Sequence, residues 1–199
     1  MSEVAKEVAV AVAPLAGPVE EPVYAAEPLI RSEALDLRGM VTLRGDLGSD
    51  AMAAAVDEAV GLAVPGTLGV VANGEDRAVW MSPDELLLFC AYGEADAVVA
   101  RASEQFGAAH HMAVNVSDAR AVIRLTGARV GEVLAKGAAC DCSDHGFPVG
   151  TARRTHMAGL AVAFWRLEPE VWEIVALRSY AHHLMAWLDQ VSQPGSEVF

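Results

Sequence analysis

Apolar and polar residues alternate along this chain with two different periods, and the pattern predicts a domain of mixed α and β structure. Helix-like stretches place apolar side chains three or four residues apart, as Met52, Val56 and Val60 do. Strand-like stretches alternate apolar with polar residues, or form short apolar runs between turn residues. The predicted strands cover residues 35–38, 40–44, 68–72, 77–80, 85–92, 111–116, 120–125, 153–157, 160–166 and 171–177.

Four helices are expected among these strands. Ser49 or Asp50 is suited to cap the first helix, because short polar side chains accept bonds from the free amides there. Lys136 and Gly137 are expected to end the third helix with a cation and a glycine cap. Two β-α-β-type halves follow one another, which predicts an α+β fold with mainly antiparallel sheets. The predicted helices cover residues 50–62, 95–106, 127–136 and a final stretch that begins at residue 179.

Proline separates an N-terminal segment from the folded part of the chain. Residues 1–33 are rich in Ala, Val, Pro and Glu, and proline at this density interrupts helices and sheets. Two interpretations remain open for them: a disordered tail, or an arm that lies extended across a partner. We expect the folded domain to occupy residues 34–191 and a short tail to occupy residues 192–199.

Charge excludes some classes of partner. The 199 residues carry a net charge of −13, and such a surface repels nucleic-acid phosphates and anionic lipid. The acidity serves solubility, or it matches a partner with a basic face. Residues 8–16 form an apolar run, but Pro14 interrupts it and it is too short to span a bilayer, so no membrane segment or targeting signal is expected. Three cysteines without regular spacing favour the reducing cytoplasm.

The residues with metal-binding or catalytic chemistry do not form a recognisable site in the sequence. Cys140, Cys142, Asp144 and His145 are metal-capable, but a second spaced pair is missing, so a loop with two partly buried thiols is favoured over zinc. No dinucleotide-binding glycine motif, P-loop or nucleophile elbow is present. We therefore assign no catalytic, cofactor-binding or metal-binding residue.

Two histidine pairs need a separate interpretation. Adjacent residues point to different faces of a strand or helix, so neither His110-His111 nor His182-His183 is a natural chelate. His183 is predicted to be a partly buried structural histidine, because it lies at helical spacing from Trp187.

The segment from Trp80 to Arg124 is the most informative one. Residues 80–85, WMSPDE, predict a tight hairpin connection with Trp80 buried beneath it; the alternative is an interface turn that exposes Asp84 and Glu85. Several short segments, in this order and spacing, resemble the gamma subunit of bacterial heterotetrameric sarcosine oxidase over residues 35–188. They are residues 80–85, 114–120, 123–127, 133–137, Asp141, 150–155, 178–181 and 187–188.

This resemblance implies a fold similar to the folate-binding domain of aminomethyltransferases. It implies a noncatalytic subunit of a flavin-dependent enzyme that demethylates sarcosine to glycine, hydrogen peroxide and formaldehyde or methylenetetrahydrofolate. It further implies that the subunit assembles and stabilises the flavin-bearing chains. FAD, FMN and NAD are then expected on the alpha and beta subunits and zinc on the delta subunit, with the beta-like flavin subunit as the chief partner.

Two other functions remain open. The first is an autonomous folate-binding, aminomethyltransferase-like protein, although residues 156–160 lack the carboxylate that such enzymes use there. The second is an isolated acidic interaction module.

Tryptophan and arginine supply the candidate interface residues, because both are enriched at binding hot spots. The tryptophans would act as apolar anchors and the arginines, which include Arg166, would pair with partner carboxylates. The alternative places all three tryptophans in the core. The candidates are Trp165, Trp172, Trp187, Arg153, Arg154 and Arg178.

Overall fold

Two antiparallel sheets of five strands each make up the centre of the described part of the molecule. The structure, a computed structural model, describes residues 11–15 and 27–197. In the first sheet the strands are β2 (Arg38–Arg44), β3 (Val70–Asn73), β4 (Asp76–Ser82), β5 (Glu85–Ala91) and β6 (Met112–Asn115). They lie in the order β3-β4-β5-β2-β6, so β6 forms one edge of this sheet.

The second sheet takes four strands from the C-terminal half and one from the start of the chain. Its strands are β1 (Arg31–Ala34), β7 (Arg120–Thr126), β8 (Ala152–Met157), β9 (Leu160–Glu168) and β10 (Val171–Leu177), in the order β1-β7-β10-β9-β8. β1 begins before the expected domain boundary at residue 34, and it pairs antiparallel with β7. The short polar sequence of β1 carries no strand pattern of its own, so the long-range pairing defines it.

Helices cover the outer face of each sheet. The helices are α1 (Asp50–Val60), α2 (Ala95–Phe106), α3 (Val130–Ala135) and α4 (Ala181–Val191). Helices α1 and α2 pack with the first sheet in one apolar cluster, and α3 and α4 pack with the second sheet in another. A third cluster, which includes Met40, Leu87, Trp165 and Val175, lies between the sheets. The layers are therefore helix, sheet, sheet and helix, which confirms the α+β prediction with antiparallel sheets.

Local chemistry sets the ends of α1 as the sequence predicts. The hydroxyl of Ser49 accepts a hydrogen bond from the amide of Met52 at 3.2 Å. Gly61 ends the helix at a φ of 64°, a left-handed conformation that favours glycine.

The predicted glycine cap of α3 is wrong. Gly137 does not adopt the positive φ of a glycine cap. Its lack of a side chain allows close packing instead. A Cβ at this position would lie 2.5 Å from Cζ2 of Trp187. Lys136 also acts elsewhere, because its Nζ donates to the carbonyl of Val191 at 2.6 Å, at the end of α4. Residues 136 and 137 therefore hold the end of α3 against α4, through one hydrogen bond and one packing contact.

The segments outside the predicted domain have contacts with it. The guanidinium of Arg178 donates to the carbonyl of Val12, and Pro14 lines a small cavity together with Leu35 and Val122. The rest of the predicted arm, residues 1–10 and 16–26, lies outside the described residues, as do residues 198–199 of the predicted tail. Among the described helices, none is long and apolar enough to cross a membrane.

Candidate functional site

The segment from Asn115 to Arg120 carries the chain from the first sheet to the second. The hydroxyl of Ser117 accepts from the buried amide of Met40 at 2.9 Å and donates to Oδ1 of Asn115 at 2.6 Å. Asn115 Nδ2 donates to Asp96 at 2.8 Å, and the hydroxyl of Tyr92 donates to Asp118 at 3.0 Å. The polar residues of this motif therefore fix the crossover between the sheets.

Residues 80–85 form the predicted hairpin between β4 and β5. The Ser82 hydroxyl donates to Asp84 Oδ1 and Arg44 donates to Asp84 Oδ2, both at 2.6 Å. These bonds, that of Ser82 first, hold the pKa of Asp84 below its ordinary value. The turn exposes Asp84, while Glu85 keeps 12% of its side chain exposed and Trp80 is only half-buried. The prediction that Trp80 is buried beneath the turn is therefore only partly correct.

A buried carboxylate joins the two sheets. Glu173 on β10 is 2% exposed and accepts from Nε1 of Trp165 at 2.9 Å. It also accepts from Arg124 at 2.7 Å and from Arg77, whose two nitrogens lie 3.3 Å away on β4 of the other sheet. Glu75 extends the group through Arg124 and Arg38. Several donors thus satisfy one buried charge, as a buried carboxylate requires.

Sequence reasoning missed this group, although a signal for it exists. Glu173 is the lone charged residue in Val171–Leu177, a strand whose other residues are apolar. A single carboxylate in a fully apolar strand indicates a buried and paired charge.

The thiols are buried rather than poised for reaction. Burial raises the pKa of Cys142 to about 12 and also raises that of Cys140. Within the described residues, no group of three or more His, Cys, Asp or Glu side chains is arranged to hold a metal ion. Asp144 instead forms an ion pair with Arg166 at 2.7 Å.

Of the two histidine pairs, His111 is half-buried and the other three histidines are exposed. His183 is exposed, so the prediction of a partly buried histidine on α4 is wrong; the helix faces the core with Leu184 and Leu188 instead. His111 stacks on Phe106 with ring centroids 4.5 Å apart, and its Nδ1 lies 2.9 Å from the carbonyl of Ala109.

The three candidate tryptophans do not share one environment. Trp165 is 0% exposed and Trp172 is 2% exposed, so these two follow the core alternative and cannot reach a partner without opening the fold. Trp165 lies between the sheets, and Trp172 packs on Phe147 with centroids 4.6 Å apart. Trp187 is half-buried against Gly137 and keeps one side at the surface.

The candidate arginines also differ in their surroundings. Arg153 lies over the ring of Phe147 at 5.0 Å and donates to the carbonyl of Gly146. Arg166 is buried, with its Cζ 5.1 Å from the ring of Trp172. Arg154 is 56% exposed. Of these arginines, Arg154 offers the most surface to another molecule.

Comparison with known proteins places this architecture in one family. The sequence profile of the sarcosine oxidase, gamma subunit family matches residues 44–194. The sarcosine oxidase subunit gamma of Corynebacterium sp. strain P-1 is 34% identical over 149 residues, which cover 72% of this chain and 71% of that protein. Its counterpart in Corynebacterium sp. strain U-96 is 30% identical over 152 residues, which cover 75% of this chain and 71% of that protein.

Solved structures agree in fold. A chain of the heterotetrameric sarcosine oxidase from Corynebacterium sp. U-96, in complex with pyrrole 2-carboxylate, matches with a TM-score of 0.76 and 26% identity, over 88% of this chain and 90% of that one. The glycine cleavage system aminomethyltransferase T from Bartonella henselae matches with a TM-score of 0.55 and 12% identity, over 81% of this chain and 45% of that one. The aminomethyltransferase-like fold is thus confirmed, and the chain belongs to the sarcosine oxidase gamma subunit family.

Proposed function

We propose that this chain is the noncatalytic gamma subunit of a heterotetrameric, flavin-dependent sarcosine oxidase and that it assembles and stabilises the flavin-bearing subunits. The observation that carries the proposal is the likeness to a chain of such an oxidase over 88% of the residues, at a TM-score of 0.76. The partners are the alpha, beta and delta subunits, chiefly the beta-like flavin subunit. FAD, FMN and NAD belong to the alpha and beta subunits and zinc to the delta subunit.

The polar residues of this chain support a structural role. Glu173 bonds to Arg77 of the opposite sheet, while Ser117 and Asn115 bond to each other in the crossover between the sheets. These residues create a rigid double sheet rather than a set of groups aimed at a substrate. In the assembly, the gamma chain would hold the flavin-bearing subunits in place, and those subunits would carry out the oxidative demethylation.

The organisation of the chain fits the same role. We propose that residues 34–191 together with β1 form the folded unit, that the residues before β1 form an arm able to extend across a partner, and that residues 192–199 form a tail. The free cysteines Cys90, Cys140 and Cys142 are compatible with the cytoplasm as the site of assembly.

Co-expression tests the assignment directly. The tagged chain is produced with the alpha, beta and delta subunits and purified by its tag, and the eluate is read by flavin absorbance and subunit stoichiometry. We expect a yellow, equimolar complex, while the chain produced alone is colourless. A colourless chain that recovers none of the three subunits contradicts the proposal, and tetrahydrofolate binding by the pure monomer would support the autonomous folate-binding alternative.

The noncatalytic part of the proposal has its own test. The exposed histidines His110, His182 and His183 and the half-buried His111 are replaced by Gln one at a time in the assembled enzyme. We expect kcat for sarcosine to remain within about twofold of the wild type, since general acid–base groups typically contribute a hundredfold or more. A loss of that size in a complex with normal flavin content contradicts a noncatalytic gamma chain.

A further inference from the structure

One margin of the space between the sheets is lined by charged rather than apolar side chains. On β2, Met40, Thr42 and Arg44 share the face that looks toward the second sheet, because alternate strand residues point the same way and Met40 lies in the apolar cluster between the sheets. Arg44 pairs with Glu85 on one side and with Met112 on the other. Directly paired residues share a face, so these three side chains point toward the second sheet.

The second sheet brings two more arginines to this margin. Arg154 pairs across the strands with Ala163, which lies in the cluster between the sheets. Arg120 precedes Val122 of the same cluster by two residues and so shares its face of β7. Arg120 also pairs with Leu177, which follows Val175 of the same cluster by two residues. We call Arg44, Glu85, Arg120 and Arg154, together with Met112, Val114 and Leu177, the seam patch.

The charges of the seam patch are unbalanced toward the positive. Asp84 pairs with Arg44 at 2.6 Å, and Glu85 lies 3.8 Å from Arg154 and 3.9 Å from Arg44, so two carboxylates face the three guanidinium groups. Among the described residues, the guanidinium of Arg120 has no hydrogen-bond or ion-pair partner. Burial lowers its pKa, and Arg154 adds to this while Glu85 opposes it. The chain as a whole carries a charge of −13, so a local excess of arginine is unusual.

Exposed apolar side chains lie beside these arginines. Met112 is 40% exposed, Val114 is 43% exposed and Leu177 is 46% exposed. Val114 pairs with Thr42 and therefore faces the same way as Met112. Both are on β6, one of the two edge strands of the first sheet. Arginines next to exposed apolar residues match the composition of protein interfaces.

We propose that the seam patch is the surface on which this chain docks to its partner, and that it receives an acidic segment of a flavin-bearing subunit in which carboxylates alternate with apolar side chains. The proposal rests on the proposed function, because the partner is a subunit of the same oxidase. Charge complementarity selects the occupant: Arg120 and Arg154 meet the carboxylates, and Met112, Val114 and Leu177 meet the apolar residues. A nucleic acid or an anionic membrane is disfavoured by the net charge of the rest of the chain.

Matched substitutions test this surface in the complex reconstituted from its subunits. Arg154→Glu reverses an exposed charge in the seam patch, and Arg31→Glu makes the same change on β1, where Arg31 pairs with Thr126 at the opposite end of β7 from Arg120. Leu177→Ser and Val149→Ser form the apolar pair, since Val149 is 47% exposed but lies in the loop between α3 and β8. Each variant chain is mixed with the wild-type remaining subunits, and its dissociation constant is measured over a range of salt concentrations.

We expect Arg154→Glu and Leu177→Ser to weaken assembly by about tenfold or more, with a smaller salt dependence for Arg154→Glu, and the two controls to bind as the wild type does. Circular dichroism of each isolated variant shows whether its fold is retained.

If the wild-type chain assembles and Arg154→Glu assembles equally well, the seam patch is not the docking surface, although the proposed function survives. If the wild-type chain recovers no flavin subunit, the proposed function itself fails. If citrate raises the melting temperature of the wild type but not of Arg154→Glu while assembly is unchanged, the patch binds a small anion and the docking proposal is overturned.

Discussion

Trp165 on β9 donates its indole N–H to the carboxylate of Glu173 on β10, at 2.9 Å and out of contact with solvent. The same carboxylate accepts from Arg77, which lies on β4 of the opposite sheet. Removing the charge of Glu173 therefore leaves a buried guanidinium without its counter-ion. Breaking a buried ion pair from one side is more destabilising than losing a surface pair.

We expect Glu173→Gln to lower the free energy of unfolding by about 3–5 kcal/mol. Urea denaturation followed by tryptophan fluorescence measures the change. Glu168→Gln, at the exposed end of β9, is the control and should alter stability by less than about 0.5 kcal/mol. Equal effects of the two substitutions would show that the buried carboxylate contributes nothing special.

The bond from Trp165 can be separated from the rest of the group by a double-mutant cycle. Trp165→Phe keeps an aromatic ring and removes the N–H donor. The coupling energy between Trp165→Phe and Glu173→Gln should be about 0.5–3 kcal/mol, because the two residues share one network. If the two substitutions have additive effects on the free energy of unfolding, Trp165 and Glu173 stabilise the fold through packing rather than through their hydrogen bond.

Residues in local patterns were predictable from the sequence, whereas residues that act through long-range pairing were not. The helix over residues 95–106 and the β4–β5 hairpin follow from periodicity and turn chemistry, which a short window contains. β1 has no such signal, because it is defined by pairing with β7; Arg31 pairs with Thr126, which lies 95 positions later.

The candidate site shows the same division. Trp165, Trp172 and Trp187 look alike in sequence, yet two are in the core and one is half-buried, because strand pairing and the approach of α3 to α4 decide their burial. The convergence of Arg44 and Arg154 on Glu85 joins residues from both sheets. Only the packing of one sheet on the other brings them together.

The crossover between the sheets depends on Ser117. Ser117→Ala should leave the buried amide of Met40 without an acceptor and cost about 1–3 kcal/mol. Thermal unfolding of the purified chain measures this loss. Ser179→Ala, at an exposed position before α4, should leave the melting temperature within about 2 °C of the wild type. A Ser117 variant as stable as this control would show that the hydroxyl does not stabilise the crossover.

Gly137 is required for the approach of Trp187. Gly137→Ala places a methyl group 2.5 Å from the tryptophan ring and should destabilise the fold by about 1–3 kcal/mol. Trp187→Phe removes the ring atoms that clash, so the double variant should be more stable than Gly137→Ala alone. Gly66→Ala is the control, because a Cβ there meets nothing within 4 Å. A lack of rescue would mean that Gly137 is needed for another reason.

Glu75 makes stability depend on pH in the acid range. Burial opposes ionisation of its carboxyl, but Arg38 and then Arg124 outweigh this and hold its pKa below the ordinary value of 4.5. A carboxyl with a depressed pKa in the folded state stabilises the fold above its ordinary pKa, and this stabilisation is lost as the pH falls through the lower folded value. Glu75→Gln should therefore be less stable than the wild type at pH 7, and the two should converge well below pH 4.5. Glu170→Gln, at an exposed turn, is the control, and a difference that stays constant with pH would contradict the role of Glu75.

The buried thiols should resist alkylation while the chain is folded. Burial raises the pKa of Cys142 from 9.0 to about 12 and that of Cys90 from 9.0 to about 11. Because the thiolate is the reactive form, the rise at Cys142 reduces its reactive fraction about a thousandfold at pH 8. Timed labelling with iodoacetamide, read by mass spectrometry of the peptides, should therefore find slow modification in the folded chain and rapid modification in urea. Cys140, which is less deeply buried, serves as the internal comparison and should react before Cys142. Rapid labelling of Cys142 in the folded chain would show that the loop between α3 and β8 opens readily.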